Sequence, residues 1–235
     1  MKIIILVLGC EDYPYKAIQD AQMNTWDSVQ VDNVDTYFYM GNDKHEGETE
    51  LVVQTIVSPF KEKSVTKHKK IFVPCSEDYN MMHWRYKLAL DYIWNEDWDF
   101  IFRTNTSSYV DKQKLFDFAN TMLTEKCYCG VDGGGYASGC GVLISRDVAK
   151  IFKDQFDSHP TDSDDCLMGT YATKNGIEVT KGAVRFDYYF NVFFNGNERD
   201  NHCTNIPNIY HYRCKSDTTD RTKDIQAFHD IHKTK

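Results

Sequence analysis

The chain has 235 residues, a length that fits one domain with a full hydrophobic core. Its 35 acidic and 27 basic side chains give a formal net charge of −8. Proteins that bind nucleic acid usually present a basic surface, so this balance argues against a nucleic-acid partner. The main basic cluster, residues 61–70, is interpreted as a short solvated loop.

The sequence contains no candidate for a membrane helix, which would need roughly 18 apolar residues in a row. The apolar run Ile3–Leu8 is too short for a signal peptide, and no small-residue cleavage pattern follows it. We therefore expect a cytoplasmic protein without a membrane segment. The eight cysteines form no Cys-x-x-Cys pair, so we expect reduced thiols rather than structural zinc. A disulfide between Cys203 and Cys214 is the alternative.

Strand and helix signals alternate along the chain, which predicts an α/β fold with a mostly parallel sheet flanked by helices. For the first half, we predict strands at 3–8, 34–39, 51–55, 71–73 and 100–102, helices at 14–26 and 80–94, and a turn at 41–43. For the second half, we predict helices at 112–123, 147–156 and 165–175, and strands at 128–131, 141–144, 184–186 and 209–212.

Three details complete the predicted organisation. Asp111 is expected to cap the helix at 112–123, and Gly176 to end the helix at 165–175. No linker or internal repeat divides the chain, so we predict one domain spanning residues 1–235 with its core at about 3–213. The charged tail, 215–235, is expected either to fray or to fold back as a helix.

A polar cluster follows the predicted strand at 100–102. It reads Arg-Thr-Asn-Thr-Ser-Ser over residues 103–108. In open α/β sheets, ligands bind beyond the carboxyl ends of the strands, so this cluster is a candidate site for a phosphate- and hydroxyl-rich ligand. The alternative is a turn that caps the next helix. The pair Asp97 and Asp99 precedes the strand, at the opposite end, and is interpreted as part of a solvated turn.

Five sequence blocks occur in an order typical of one enzyme family. They are Thr25-Trp26, Lys87 to Trp94, Asp99 to Asp111, Tyr136 to Asp147 and Asp164 to Gly169, and together they cover about residues 3–213. In this order, the blocks resemble GT-A glycosyltransferases, and most closely the β-1,3-galactosyltransferase and Fringe family. The chain also resembles glycosyltransferase-like proteins of large DNA viruses.

The resemblance implies a GT-A-like sandwich that takes part in glycan biosynthesis. Such an enzyme moves a hexosyl or pentosyl group from a nucleotide-sugar, most often a UDP-sugar, to a hydroxyl of a glycan acceptor. It further implies that Asp165 is the general base of an inverting transfer and that Asp164 orients the acceptor. Ser138 and Gly139 correspond to the family's acceptor loop. Without the resemblance, Asp164 and Asp165 are better explained as a helix cap, because acidic residues are common in the first turn of a helix.

The chain departs from the family at the metal motif, where Asn105, Thr106 and Ser107 replace three aspartates. Divalent cations such as Mn²⁺ prefer anionic oxygen ligands, so metal-independent donor binding is expected. Cationic side chains would then stabilise the departing phosphate. The remaining donor-binding candidates are Lys87, Arg103, His211, Arg213 and, by analogy of fold, Tyr13 stacking on the base.

Two alternatives remain open. In the first, the chain is a non-catalytic module that has kept affinity for carbohydrate or nucleotide-sugar. In the second, Mn²⁺ is held by His211 together with Asp165 or Asp132. His211 also has a plainer explanation, because a histidine in a late strand is usually a packed imidazole.

Overall fold

A computed structural model describes residues 1–42, 47–57, 65–161, 163–195, 198–200, 208–216 and 220–235. The strands are β1 Ile3–Leu8, β2 Val34–Gly41, β3 Glu50–Val57, β4 Val65–Val73, β5 Phe100–Asn105, β6 Ser108–Val110, β7 Tyr128–Asp132, β8 Ala137–Ser145, β9 Val184–Asp187, β10 Val192–Asn195, β11 Glu198–Asp200 and β12 His211–Arg213. The α-helices are α1 Tyr15–Asn24, α2 Met82–Ile93, α3 Lys112–Ala119, α4 Arg146–Gln155, α5 Asp164–Lys174 and α6 Lys223–Lys233.

The central sheet has seven strands in the order β3-β4-β2-β1-β5-β8-β7. The inner strands β4, β2, β1 and β5 pair in parallel, whereas β3, β8 and β7 add antiparallel pairings at the two flanks. The predicted α/β class is therefore confirmed, with a mixed rather than a mostly parallel sheet. Strand β1 lies in the middle, which explains why Ile3 to Val7 are apolar without alternation and fully buried.

Helices cover both faces of this sheet. Alternate side chains of β1 point to opposite faces, so Ile3 and Ile5 pack with one set of helices and Ile4 and Leu6 with the other. The first face is covered by α1, α3 and α6, and the second by α2, α4 and α5. This three-layer arrangement leaves the edge of the sheet at the carboxyl ends of β1 and β5 as the place where loops converge.

A second sheet of five strands, in the order β11-β10-β9-β12-β6, sits beside that edge. The chain leaves β5 at Asn105 and enters β6 at Ser108, so a short turn joins the two sheets. Strand β12 runs antiparallel to β6, with Arg213 opposite Ser108. The polar turn after β5 is therefore held close to the end of β12.

Several predicted boundaries shift. Strand β5 continues through Arg103 to Asn105, so half of the polar cluster belongs to the strand itself. Helix α3 ends at Ala119 rather than at Leu123, and Asp111 caps it by accepting the Lys114 N–H at 3.2 Å. Gly176 follows α5 with a φ of 70°, the left-handed conformation expected at a helix end. The strands β10 and β11 have no counterpart among the sequence predictions.

The interpretation of residues 61–70 as a solvated loop is wrong where the structure describes them. Residues 65–70 belong to β4, and His68 and Lys70 are buried. The His68 Nδ1 atom lies 2.5 Å from a carboxylate oxygen of Asp27, and the Lys70 ammonium lies 2.9 Å from Glu11. These partners come from elements distant in the sequence, so no local pattern indicates the burial.

The turn before β5 is solvated at its two aspartates, as expected, because Asp97 is exposed and the Asp99 side chain is 44% exposed, whereas Trp98 between them is buried. Trp98 is 2% exposed, and Asp99 accepts the Lys2 backbone N–H at 2.7 Å. Two other predictions fall partly outside the described residues: Cys203 and the Asp43 end of the turn at 41–43. None of the helices in the described ranges has both the length and the apolar character needed to cross a membrane.

The tail folds back as a helix, one of the two outcomes expected for it. Helix α6 contacts α1, and its apolar residues Ala227, Phe228 and Ile231 are buried in the same core as Ile3. The described residues on either side of this connection, Lys215 and Arg221, lie near the carboxyl ends of β1 and β5.

Candidate functional site

A cleft of about 420 Å³ opens at the carboxyl ends of β1 and β5. This volume falls within the range of roughly 300–1,000 Å³ that is typical of ligand pockets. The cleft contains nine of the site residues predicted from the sequence: Arg103, Asn105, Thr106, Ser107, Ser138, Gly139, Asp164, Asp165 and Arg213. It therefore collects the end of β5, the start of β8, the start of α5 and the end of β12.

The base of the cleft is built on an ion pair between Arg103 and Asp164. Both side chains are buried, and one Arg103 nitrogen donates to an Asp164 carboxylate oxygen. A second nitrogen, Nη1, donates to the Gly139 carbonyl at 2.7 Å. Burial lowers the pKa of Arg103, but the Asp164 carboxylate together with the Tyr39 and Tyr86 hydroxyls outweighs it, so that pKa lies above its ordinary value. Arg103 thus ties β5 to β8 and to the first turn of α5.

Asp165 is half-buried and accepts hydrogen bonds at both carboxylate oxygens. The Gly139 N–H donates to Oδ2 at 3.1 Å, and the Ser163 hydroxyl and the Cys166 N–H donate to Oδ1. Burial raises the pKa of Asp165, but these donors and the Arg103 charge outweigh it, so the pKa lies below its ordinary value. Asp165 is consequently an ionised carboxylate at neutral pH, held at a fixed place in the cleft.

The wall beside Asp165 is the segment from Ser138 to Gly141, where glycine is required by close contacts. A Cβ atom at Gly139 would lie 2.4 Å from Arg103 Nη1, and one at Gly141 would lie 2.3 Å from the His211 ring. The Cys140 carbonyl accepts the Thr104 and Ser108 hydroxyls at 2.6 and 3.0 Å. This part of the wall is therefore rigid backbone closely packed on β5.

A further part of the lining, at the end of β12 and after it, is cationic, and sequence analysis found only some of these residues. Arg213 was predicted, but Lys215 and Arg221 also line the cleft and come from the supposed tail. Arg221 Nη2 donates to the Ser107 hydroxyl at 2.9 Å and to Asp224, which is fully buried, at 2.7 Å. Lys215 makes no ion pair with any described residue. The alternate spacing of Arg213 and Lys215 was a usable signal, because residues two apart share a face of an extended chain.

Three predicted donor-binding residues are not brought into the cleft. The Lys87 ammonium pairs with Asp91 on the same helix, and the Tyr13 side chain is 77% exposed, while Tyr15 lines the cleft instead. His211 is 2% exposed and packs edge-on against Phe102. The plainer expectation for His211, a packed imidazole, fits this position.

The polar triplet at residues 105–107 does not fit a bound Mn²⁺. The Asn105 side-chain oxygen accepts the Ser107 N–H at 3.0 Å, and the Ser107 hydroxyl accepts from Arg221. A guanidinium at this position would repel a divalent cation. Among the described residues, no group of three or more metal-ligating side chains includes His211, Asp165 or Asp132.

In the described ranges, one group of side chains has metal-ligand geometry. It consists of Cys10, Asp12 and Glu77, whose ligand atoms lie within 4.8 Å of one another. Its sulfur is a hydrogen-bonded thiol, because the Cys10 Sγ donates to Glu77 at 3.1 Å. Burial and the neighbouring carboxylates raise the pKa of Cys10 to about 11. At neutral pH this group is therefore a hydrogen-bonded cluster at the rim of the cleft.

The position of His211 leads to a pH prediction. Burial, reinforced by the Arg185 and Arg213 charges, lowers the pKa of His211 well below its ordinary value. Below pH ~6.5 the unfolded chain therefore binds a proton at His211 that the folded chain does not bind. The free energy of unfolding keeps its full value above pH ~6.5 and decreases as the pH drops toward the folded pKa, by up to about 1.4 kcal/mol per pH unit. We expect His211→Gln to reduce this slope, measured by urea unfolding between about pH 7.5 and 5. Parallel curves for the two proteins would assign the slope to other groups.

Comparison with protein-family models finds no match for this chain, and comparison with curated protein sequences finds none either. The chemistry of the cleft must therefore be argued from its own residues. Its lining offers an ionised carboxylate, three cationic side chains from β12 and the segment after it, and the hydroxyl and amide groups of residues 105–107. That arrangement can bind a phosphate-bearing ligand and accept a proton from a hydroxyl placed next to it.

Proposed function

We propose that this chain is an inverting, metal-independent glycosyltransferase that moves a sugar from a nucleotide-sugar to a glycan hydroxyl. The observation that carries the proposal is the presence, in the lining of one cleft, of the Asp165 carboxylate and the cations Arg213, Lys215 and Arg221. The position of the cleft, past the carboxyl ends of parallel strands, is where α/β sheets bind nucleotide ligands. The order of sequence blocks that resembles the β-1,3-galactosyltransferase family supports the same function.

The donor half of the proposed site is the cationic side. Lys215 and Arg221 would neutralise the diphosphate, and the hydroxyls of Thr106 and Ser107 would donate hydrogen bonds to its oxygens. As the bond between the anomeric carbon and the phosphate oxygen breaks, the electron pair leaves with the diphosphate. Fixed cations around that oxygen stabilise the growing negative charge more than they stabilise the intact donor, which is the requirement for catalysis.

The acceptor half is built on Asp165. An acceptor hydroxyl bonded to its Oδ2 atom would transfer its proton to the carboxylate while its oxygen bonds to the anomeric carbon, on the face opposite the diphosphate. The hydrogen bonds from Ser163 and Gly139 keep Asp165 ionised and hold its carboxylate in one orientation, although they also make it a weaker base. Rate would then depend on position more than on basicity.

A second function is favoured by that same weakness. Because both oxygens of Asp165 already accept hydrogen bonds, the cleft could bind a sugar without activating its hydroxyl. In that case the chain is a non-catalytic module with affinity for nucleotide-sugars or carbohydrate. Donor binding would be common to both functions, and only sugar transfer would separate them.

Donor binding supplies the first test. We expect UDP to bind with equal affinity in EDTA and in Mn²⁺, and we expect Lys215→Gln to weaken its binding about 10–100-fold, the loss of one charge-assisted contact. Lys215 is the suitable position because it makes no ion pair in the described part of the chain, so its replacement leaves no described carboxylate without its partner. Calorimetric titration measures both effects.

The control is Lys150→Gln, which removes the same charge from an exposed pair with Asp154 on α4. Its UDP affinity should match that of the wild type. A gain of tenfold or more on adding Mn²⁺ would contradict metal independence, since about 1.4 kcal/mol would then come from the ion. Absence of any nucleotide binding would contradict the transferase and the nucleotide-sugar module, and would leave only a module that binds carbohydrate.

A further inference from the structure

Arg85 is a buried cation of the cleft that the proposed mechanism does not use. It lies on α2, is 3% exposed and lines the cleft. Its Nη2 atom donates to the backbone carbonyl of Asp78 at 3.1 Å, while its Nε atom has no hydrogen-bond partner in the described part of the chain. Within the same described ranges, no carboxylate lies at ion-pair distance from its guanidinium.

Other buried arginines show how unusual this is. Arg103 pairs with Asp164, Arg185 with Asp187, and Arg221 with Asp224. Each guanidinium has an aspartate that compensates for its removal from water. Burying a charge without such a partner typically costs several kcal/mol of folding free energy. The buried position of Arg85 therefore destabilises the fold unless a ligand supplies the missing partner. The Arg85 Nε–H group, which has no hydrogen-bond partner among the described residues, thus belongs to a side chain that lines the cleft.

Arg85 also stands apart from the cations assigned to the diphosphate. Those cations lie on β12 and in the segment after it. Arg85 lies on α2, and two residues that precede it in the chain, Tyr79 and Met82, also line the cleft. Helix α2 contacts α5, the helix that begins at Asp164. Arg85 therefore serves the wall where the transferred sugar or the acceptor would lie, rather than the nucleotide.

We infer that Arg85 binds a carboxylate carried by a sugar of the substrate, so that the cleft selects a sugar acid such as a uronic acid. The guanidinium presents a planar fork of N–H groups that matches a carboxylate with two parallel hydrogen bonds. The ligand's carboxylate would supply the compensating negative charge that none of the described residues provides. The inference rests on the proposed function for the statement that the ligand is a sugar, and the carboxylate belongs either to the donor sugar or to the acceptor.

Two binding arms distinguish these sources. The donor arm compares UDP-glucuronate with UDP-glucose by calorimetry, and the acceptor arm compares methyl β-glucuronide with methyl β-glucoside in the presence of UDP. In one of the arms we expect the wild type to favour the acid at least tenfold, about 1.4 kcal/mol. Arg85→Gln should bring that ratio to within about twofold of one, and Arg85→Lys should retain part of it because the charge remains but the fork does not. Lys150→Gln, which removes an exposed charge far from the cleft, should keep the wild-type ratio.

Equal affinity for acid and neutral sugar in both arms of the wild type would overturn the inference, and so would an unchanged preference in Arg85→Gln. The wild-type comparison needs no variant, so it decides even if Arg85→Gln fails to fold. These are binding measurements and do not depend on catalysis. A protein that prefers the acid but transfers no sugar from any donor would refute the proposed transferase and leave the carboxylate site standing.

Discussion

Asp165→Asn is expected to lower sugar transfer about 10²–10⁴-fold, because it removes the proton acceptor of the proposed reaction. The amide keeps the size of the carboxylate. Its oxygen can still accept the Gly139 N–H, and its NH₂ group can donate to the Ser163 hydroxyl. We therefore expect a folded protein with wild-type affinity for UDP. Initial rates with a nucleotide-sugar and an acceptor glycan, together with calorimetry of UDP, measure the two effects separately.

Asp154→Asn is the matched control for this change, because Asp154 lies on the exposed face of α4 in a pair with Lys150. Its transfer rate should equal that of the wild type. The anomeric configuration of the product, read by NMR, adds an independent check, since a single displacement inverts the donor's configuration. Wild-type rates in Asp165→Asn, or a product that retains the donor's configuration, would contradict the role given to Asp165.

The pair of Arg103 and Asp164 is expected to have the largest effect on stability. Removing one partner leaves a buried charge without compensation, which typically costs about 3–5 kcal/mol. We therefore expect Asp164→Ala and Arg103→Met each to lower the free energy of unfolding by an amount in this range, measured by urea denaturation. Sequence analysis assigned Asp164 to orienting the acceptor and Asp165 to the general base. The structure distinguishes their surroundings, because Asp164 is buried in an ion pair with Arg103, whereas Asp165 is half-buried.

The double variant Arg103→Met with Asp164→Leu provides the control. Replacing both members of a buried ion pair by apolar side chains of similar volume is often nearly neutral, so the double variant should recover most of the loss. Single variants that lose under about 1 kcal/mol would mean that water compensates the remaining charge, and the pair would then lie in a wetter cleft than its burial indicates.

Predictions from the local sequence pattern were correct where the structure of a segment depends mainly on the residues of that segment. Strand β1 is apolar at every position because it is central and covered on both faces, and its bounds match the prediction. The Asp111 cap and the Gly176 helix end depend only on neighbouring residues. Strand β4 failed for the opposite reason, since His68 and Lys70 are buried by partners that the local sequence does not reveal.

Helix α2 shows a signal that was available but not used. Residues four apart lie on the same face of a helix, so Arg85 shares a face with Ala89 and Ile93, both fully buried. Lys87 shares its face with Asp91, with which it pairs. The sequence resemblance pointed to Lys87, whereas the helical phase points to Arg85 as the cation directed inward.

The remaining part of the site depends on contacts across long sequence distances. Ser107 and Arg221, for example, are 114 residues apart, and they meet because α6 packs on α1. A charged tail predicts solvent exposure, and only the apolar residues Phe228 and Ile231 argue for docking. The identity of the cationic wall therefore required the tertiary structure.

The glycines beside Asp165 have a consequence for how this site can diverge. A Cβ atom at position 139 would meet the end of the Arg103 side chain, and one at position 141 would meet the His211 ring, so a substitution at either position requires that neighbour to shift. Arg85 on α2 and Lys215 after β12 lie outside this packed segment. Under the proposed function, substrate preference could therefore change at Arg85 and Lys215 while the glycines beside Asp165 stay the same.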